Sequence, residues 1–237
     1  MKVLVIPDVH LKFDMFCQAR RLMNKGIADQ AVCLMDIADD WHMQYDIDAY
    51  IKAYEAAIRF AKDFPETLWC YGNHDLCYLW NERESGYSPI AAYTVCKMLN
   101  KLEETLSKSN NSIQYIHKID NVLFLHGGLS EDFVNSMVPK DKQNNPDEVI
   151  RIINSLGHYE LWDDESPIWY RPQSYRGALY KEKELLQVVG HTPVVNILRV
   201  GNLISCDTFS TYNNGKPIGT QKFLLIDTEN WNFQGVI

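Results

Sequence analysis

The sequence has no apolar run approaching the roughly 20 residues of a transmembrane helix, so no membrane partner is expected. None of its 6 cysteines (17, 33, 70, 77, 96 and 206) pairs as Cys-x-x-Cys. Cys33, Cys70 and Cys206 lie in apolar strand-like runs. A disulfide scaffold does not fit this length, and the reading is reduced, buried thiols in a cytoplasmic protein. There is no basic excess: 23 Lys and Arg face 31 Asp and Glu, a net charge of −8. That leaves no electrostatic footprint for stable nucleic-acid binding. It does not exclude an anionic substrate, because metal ions reverse a local field. The opening Met1–Asp8 reads as too short and too quickly acidic for a signal peptide. No internal repeat, low-complexity segment or linker is visible, and nothing sets an oligomeric state.

What is present is a composition of 46% hydrophobic and 23% charged residues, enough to bury a full core. Lys2–Ile6 reads as a strand, Phe13–Asn24 as a helix and Gln30–Leu34 as a second strand. Asp46 caps a helix that carries Ile47, Tyr50, Ile51, Tyr54, Ile58 and Ala61 on one face. Pro65 then turns the chain into the strand Thr67–Cys70. This rhythm predicts a largely parallel sheet with helices on its faces. Residues 76–108 break it and read as a helical insertion, with Ser88-Pro89 as a helix start. Ile113–Ile119 and Val122–Leu125 predict a hairpin around Asp120-Asn121. Asn145-Pro146 opens another helix, Leu185–Val189 is a strand, and the remainder reads as antiparallel. One domain, residues 1–237, is expected.

Chemistry-bearing residues recur where these strands end. The first strand runs into Asp8-Val9-His10, the second into Asp36 and the third into Tyr71-Gly72-Asn73-His74-Asp75. Val122–Leu125 ends at His126, and Leu185–Val189 ends at His191. Any one of these is ordinary alone: a turn former, a surface histidine, a satisfied core histidine. Together, at successive strand ends, they point to a site, because α/β folds place chemistry there. Mixed oxygen and nitrogen donors suit Mn²⁺, Fe or Zn²⁺ better than Ca²⁺. The set is too large for one tetrahedral ion and fits two ions sharing a carboxylate. His74, next to a ligand, would point elsewhere and stay free for proton transfer.

Asp8-Val9-His10, Asp36-Ile37-Ala38-Asp39, Gly72-Asn73-His74-Asp75, His126 and Gly190-His191 stand in the order of the calcineurin-like metallophosphoesterases. The resemblance spans roughly residues 3–207. His126-Gly127-Gly128-Leu129-Ser130, and Pro193 after Gly190-His191-Thr192, resemble the phosphoprotein phosphatase branch. The resemblance implies an α/β fold of two packed mixed sheets flanked by helices, a four-layer αββα sandwich. It implies two divalent ions, Mn²⁺ first, with Fe or Zn²⁺ as alternatives. Asp8, His10 and Asp36 would hold one ion; Asp36, Asn73, His126 and His191 would hold the other. His74 would be the general acid, oriented by Asp39, and Arg171 in Trp169-Tyr170-Arg171 would bind phosphate.

The implied activity is hydrolysis of phosphate monoesters, like a protein serine/threonine phosphatase, by a metal-bridging hydroxide. The substrate would be a phosphorylated protein or a small phosphoester. Alternatives are a dinucleoside polyphosphate hydrolase or phosphodiesterase, and a catalytically silent metal-binding or partner-binding module.

Three departures bear on the substrate more than on the metals. Leu11 and Met35 stand where the family usually has glycine. Asp40-Trp41 stands where the phosphatase branch has Arg-Gly, replacing a phosphate-binding cation with an anion. The expectation is that the loop turns Asp40 to solvent. Trp162, Trp169, Tyr170 and Tyr175 could line a cleft for an aromatic leaving group or pack in the core. Arg83 and Arg176 are candidate second phosphate ligands. His42, beside Trp41, could reach the substrate, although a surface loop position is favoured. His117 reads as structural and His158 as surface.

Overall fold

Val3-Leu4-Val5-Ile6 is apolar at every position and buried at every position, as a strand covered on both faces requires. The computed structural model describes residues 1–174 and 177–237 and places this run in β1 (Lys2–Ile6). After it come α1 (Asp14–Asn24), β2 (Gln30–Cys33), α2 (Ile47–Asp63), β3 (Leu68–Cys70), α3 (Asn73–Trp80) and α4 (Ala92–Ser107). The middle of the chain forms β4 (Ile113–Gln114), β5 (Ile116–Ile119), β6 (Val122–Leu125), α5 (Glu131–Met137), α6 (Pro146–Ile153) and α7 (His158–Leu161). It closes with β7 (Leu186–Val189), β8 (Leu198–Val200), β9 (Leu203–Ser205), β10 (Phe223–Asp227) and β11 (Phe233–Val236).

The strands form two mixed sheets, ordered β11-β10-β1-β2-β3-β4 and β5-β6-β7-β9-β8. β1, β2, β3 and β4 run parallel, as do β6, β7 and β9. Antiparallel strands flank both parallel sets. The sheets pack face to face through Val3, Val5, Val32, Cys70, Phe124, Leu186, Val188, Ile204 and Leu224, all fully buried. Each such side chain contributes about 1.5–3 kcal/mol for leaving water. His117 bridges the sheets, its Nε2 donating to the Trp69 carbonyl at 3.0 Å. Burial, only partly offset by that bond, pushes its imidazole down to about 4. It is therefore neutral near pH 7 and structural.

The outer core joins α1, α2 and α4 to the first sheet through Met15, Phe16, Tyr50, Phe60, Trp69 and Leu102. α6 lies against β5 on the second sheet. Asp46 does cap α2, accepting from Ala49 N at 3.0 Å, a bond worth about 1 kcal/mol. Asn145 caps α6 by accepting from Asp147 N at 3.0 Å.

Three elements depart from the pattern reading. Ile113–Ile119 is two strands in different sheets, because Asn154 Oδ1 accepts from both Tyr115 N and Ile116 N at 3.0 Å. A side chain far along the sequence thus breaks the run. Ser88-Pro89 opens a turn rather than α4: Ser88 Oγ accepts from Ala91 N at 3.1 Å, and the helix begins at Ala92. Asn73-His74-Asp75, read as the end of a strand, is already the first turn of α3. All 6 cysteines are free, with Cys33, Cys70, Cys77 and Cys206 buried. No described helix is long and apolar enough to cross a membrane.

Candidate active site

The ends of parallel strands from both sheets converge at one place. Asp8 and His10 follow β1, Asp36 follows β2, Asn73 and His74 follow β3, His126 follows β6 and His191 follows β7. The first five come from one sheet and the last two from the other. The expected ligand set is thus brought together in full.

Backbone strain is concentrated here. His10 (φ 42°), Asp36 (φ 42°), Asp39 (φ 60°) and His191 (φ 56°) all lie in the left-handed region, at a cost of about 1 kcal/mol or more each. Leu11 (φ 61°) and Met35 (φ 55°) lie there too. The chain therefore keeps the glycine-type conformation at both positions without glycine. Cross-loop bonds hold it, His10 N to Asp36 O at 2.7 Å and Leu11 N to Ile37 O at 2.9 Å, and both side chains are buried.

Two glycines let the carboxylates approach the backbone. A Cβ on Gly72 would lie 2.0 Å from Asp36 Oδ1, and one on Gly190 would lie 2.1 Å from Asp8 Oδ1. Backbone amides just beyond them hold each carboxylate. His74 N donates to Asp36 Oδ1 at 2.9 Å, and His191 N donates to Asp8 Oδ2 at 2.8 Å.

Ligand atoms of Asp8, His10 and Asp36 lie within 4.8 Å of one another, as do those of Asp36, His126 and His191. Asp36 is common to both groups. The hydrogen bonds fix how the imidazoles point. His126 Nδ1 faces the Leu34 carbonyl at 2.9 Å and His10 Nδ1 faces the Asp39 carbonyl at 2.9 Å. A carbonyl only accepts, so both Nδ1 atoms carry the proton and both Nε2 atoms turn inward. His126 Nε2 then meets Asp36 Oδ2 at 3.1 Å and Asn73 Oδ1 at 3.0 Å. Lone pairs meet there unless a second proton or a metal ion stands between them.

Burial disfavours charge on His126, but Asp36 and then Asp8 override it and raise the imidazole to about 9. The cluster demands positive charge. Asp8 Oδ1 and His191 Nε2 are buried with no hydrogen-bond partner, a costly state for polar atoms. Burial, with His126 and Arg171 nearby, holds His191 neutral, the form that coordinates metal. These residues fit a pair of divalent ions.

Beside the cluster, His74 Nδ1 donates to Asp39 Oδ2 at 3.0 Å. Burial lowers the His74 pKa, yet Asp36 and Asp39 outweigh it and raise the imidazole to about 9. Asp39 Oδ1 accepts from Tyr50 OH at 2.8 Å and from Tyr78 OH at 2.5 Å. Tyr78 OH in turn accepts from Ser88 N at 2.8 Å. The loop after α3 thereby rests on the His74–Asp39 pair, with Gly86 facing Asp39 Cβ.

Sequence reasoning missed Tyr50 and Tyr78 in this role. The helical period showed Tyr50 facing inward, but nothing in the pattern aimed a hydroxyl at Asp39. It missed Asp75, which accepts from Ile37 N at 3.1 Å and Tyr54 OH at 2.7 Å and so braces the Asp36 loop. It also missed Asp207, buried just past β9 and bonded to Ser210 Oγ at 2.7 Å. Burial, and next Asp207, raise the Asp8 carboxyl. The strand-end rule that found the other residues would have found Asp207 as well.

A cleft of about 280 Å³ opens on the cluster, lined by His10, Asp39, His74, Arg171 and His191 together with Asp40, Trp41, Gln44, Pro193, Thr211 and Ile218. Arg171 Nη1 donates to the His191 carbonyl at 2.6 Å and to Thr192 Oγ1 at 3.2 Å. Asp40 is not turned to solvent. Its Oδ2 pairs with Lys12 Nζ at 3.0 Å, and its Oδ1 accepts from Trp41 N at 2.8 Å and Thr211 Oγ1 at 3.1 Å. A nearby lysine gave the loop an ion pair that the local sequence did not reveal.

Trp162 and Trp169 do not line the cleft. They form an edge-to-face series at 5.0 Å that backs onto His191 at 5.6 Å. Tyr170 is buried and Arg83 is exposed. Tyr175 and Arg176 lie outside the described residues. His42 sits on the exposed loop beside Trp41. His158 stacks on Trp80 at 4.8 Å and pairs with Glu82 at 3.0 Å.

The family model for calcineurin-like phosphoesterases matches residues 1–215. No curated protein sequence matches the chain. Among solved structures, the cold-active protein-tyrosine phosphatase of a psychrophilic Shewanella species is similar over 100% of this chain and 80% of its own. The identity is 21% and the TM-score 0.56. A protein serine/threonine phosphatase from Saccharomyces cerevisiae is similar over 100% of this chain and 79% of its own, at 13% identity and TM-score 0.56. At these identities the likeness is one of fold.

Proposed function

Because this chain belongs to the calcineurin-like phosphoesterase family, we propose that it hydrolyses phosphate monoesters at two divalent metal ions. Asp8, His10 and Asp36 would hold one ion, and Asp36, Asn73, His126 and His191 the other. The observation that carries the proposal is the pair of ligand groups sharing the Asp36 carboxylate, with imidazole Nε2 atoms turned into them. Bound divalent ions supply positive charge for phosphate oxygens and lower the pKa of water enough for attack at neutral pH. We read residues 1–237 as one domain, with the segment around 76–108 as a helical insertion that covers the His74–Asp39 pair.

The side chains around the ions have separable tasks. His74, bonded to Asp39 through Nδ1, keeps Nε2 for the leaving oxygen, and its raised pKa leaves it protonated near pH 7. It is the general acid in this reading. Asp39, held by Tyr50, Tyr78 and His74, fixes the imidazole plane. Arg171, anchored on the His191 carbonyl, would bring its positive charge to a phosphate in the cleft. The Asp40 carboxylate does not oppose anion binding, since Lys12 offsets its charge.

The test is hydrolysis of p-nitrophenyl phosphate, bis-p-nitrophenyl phosphate and a dinucleoside polyphosphate, with Mn²⁺ added and after chelation. Metal-dependent turnover favouring the monoester is expected. Preference for either of the other two substrates replaces the monoester reading, and turnover unaffected by chelation removes the metal reading. Binding of Mn²⁺ without turnover of any of the three makes the chain a silent metal-binding module.

A further inference from the structure

Trp41 stands in the loop that departs most from the family pattern, and half of its side chain, 50%, is exposed. It is nonetheless fixed. Its Nε1 donates to the Thr211 carbonyl at 2.9 Å. On one side of it, Asp40 is bonded to Lys12 and Thr211. On the other, His42 Nε2 meets Asn213 Oδ1 at 2.7 Å and the Asn213 carbonyl at 3.1 Å. A half-open indole is therefore held in place on the wall of the cleft before any ligand arrives. Pre-organisation of this kind removes the ordering cost of a contact.

The surroundings define what would touch it. Pro193 and Ile218 add apolar surface, while Gln44 and Thr211 are neutral. Among the described residues, Arg171 is the sole Lys or Arg of the cleft lining. A phosphate chain or a nucleotide tail carries further negative charge and calls for further cations. A flat uncharged ring calls for none and gains from stacking on an aromatic face. We propose that Trp41, Pro193 and Ile218 form a subsite for an aromatic leaving group, so that the preferred substrates are aryl phosphate monoesters, free or as phosphotyrosine in a peptide. This rests on the monoester reading above and names the substrate class of the same site.

The experiment compares wild type, Trp41→Ala and Trp41→Phe on phenyl phosphate, ethyl phosphate, adenosine 5′-phosphate and a phosphotyrosine peptide, with Mn²⁺ present. Comparing each variant with wild type on one substrate cancels the intrinsic reactivity of its leaving group. Trp41→Ala is expected to raise KM for phenyl phosphate about three- to tenfold, with ethyl phosphate inside about twofold. Trp41→Phe keeps the ring but loses the N–H bond to Thr211, and is expected to stay near wild type. Phenylphosphonate should bind the wild type more tightly than methylphosphonate by calorimetry, and Trp41→Ala should erase the difference.

A higher kcat/KM for the peptide than for phenyl phosphate assigns a protein source, and the reverse a small molecule; both keep the aryl class. Equal KM changes on aryl and ethyl esters, or Trp41→Phe behaving as Trp41→Ala, reduce Trp41 to a loop anchor and overturn the proposal. An effect confined to adenosine 5′-phosphate overturns it in favour of a base-stacking site. If the wild type hydrolyses all four esters without dependence on Trp41, the subsite alone fails. If it hydrolyses none of them, the monoester reading fails and takes the subsite with it.

Discussion

At the strand ends, Asp8, Asp36, Asn73, His126 and His191 are buried and face one another. Across the cleft, the loop of Asp40, Trp41 and His42 is partly exposed and is held by a second loop at 211–213. In the first region, the inward-turned atoms, such as His126 Nε2, Asp36 Oδ2 and Asn73 Oδ1, meet one another. Changing one residue there unbalances several. In the second region, Trp41 is held by a backbone carbonyl, which is present whatever side chain stands there. His42 meets both the carbonyl and the side-chain oxygen of Asn213. The family motifs persist in the first region, and Asp40-Trp41 replaces the expected pair in the second. Leu11 and Met35 refine the contrast: they depart in residue type inside the first region but keep the backbone conformation it needs.

The largest expected effect breaks the first region at its shared member. Asp36→Asn removes charge from both ligand groups at once, and should lower kcat/KM about 10³-fold or more. Metal analysis after dialysis should show both ions lost, whereas His10→Ala should mainly deplete one. Loss of a single ion from Asp36→Asn would mean that the carboxylate is not shared. Next comes Gly190→Ala. Its Cβ would lie 2.1 Å from Asp8 Oδ1, so the carboxylate or the strand end must move. Overpacking of this kind costs about 1–3 kcal/mol, readable as a lower denaturation midpoint, and metal affinity should fall with it. Gly201 has φ 58° and no atom within 4 Å of such a Cβ; Gly201→Ala carries backbone strain without the clash and should leave metal binding alone.

This contrast also explains what could be read before the structure. The candidate ligands were legible because they occur at successive strand ends in a fixed order, and strand ends are visible as the close of an apolar run. The same runs showed a largely parallel sheet, whereas the second sheet packed against it followed only from the resemblance to the family. The split of Ile113–Ile119 was not, because Asn154 imposes it from another part of the chain. Tyr50, Tyr78 and Asp75 were missed for a related reason. Each lies in a helix whose spacing reveals its buried face but not where a hydroxyl or carboxylate ends. The pairing of Asp40 with Lys12 spans 28 residues and has no local signature, so solvent exposure was the natural expectation for that carboxylate.

A smaller effect sharpens the boundary between the regions. Tyr78 belongs to α3 and touches neither ligand group, yet its hydroxyl donates to Asp39. Tyr78→Phe should loosen the orientation of His74 and lower kcat about three- to tenfold on an alkyl phosphate, with KM unchanged. On p-nitrophenyl phosphate, whose leaving oxygen needs less help from an acid, the loss should be within about twofold. A purely structural role would lower both substrates equally, and that result would remove Tyr78 from the positioning of His74.

The smallest effect belongs to the loop wall itself. Asp40→Asn keeps an oxygen that can accept from Trp41 N and Thr211 Oγ1 but deletes the charge paired with Lys12. The two side chains are 20% and 22% exposed, and pairs at the surface contribute about 0–1 kcal/mol, so the denaturation midpoint should barely move. The electrostatic consequence is directional. With Asp40 neutral, Lys12 stands uncompensated beside the His10 carbonyl, 3.2 Å away, and the cleft is one unit more positive toward a phosphate dianion. KM for p-nitrophenyl phosphate should fall about two- to fivefold at low ionic strength, with kcat inside about twofold. The gain should disappear near 1 M salt, where the screening length is about 3 Å. A fall in KM that persists at high salt would mean a direct contact rather than a field. A rise in KM would make Asp40 a group that recognises the substrate, and would place the loop wall under the same constraint as the strand ends.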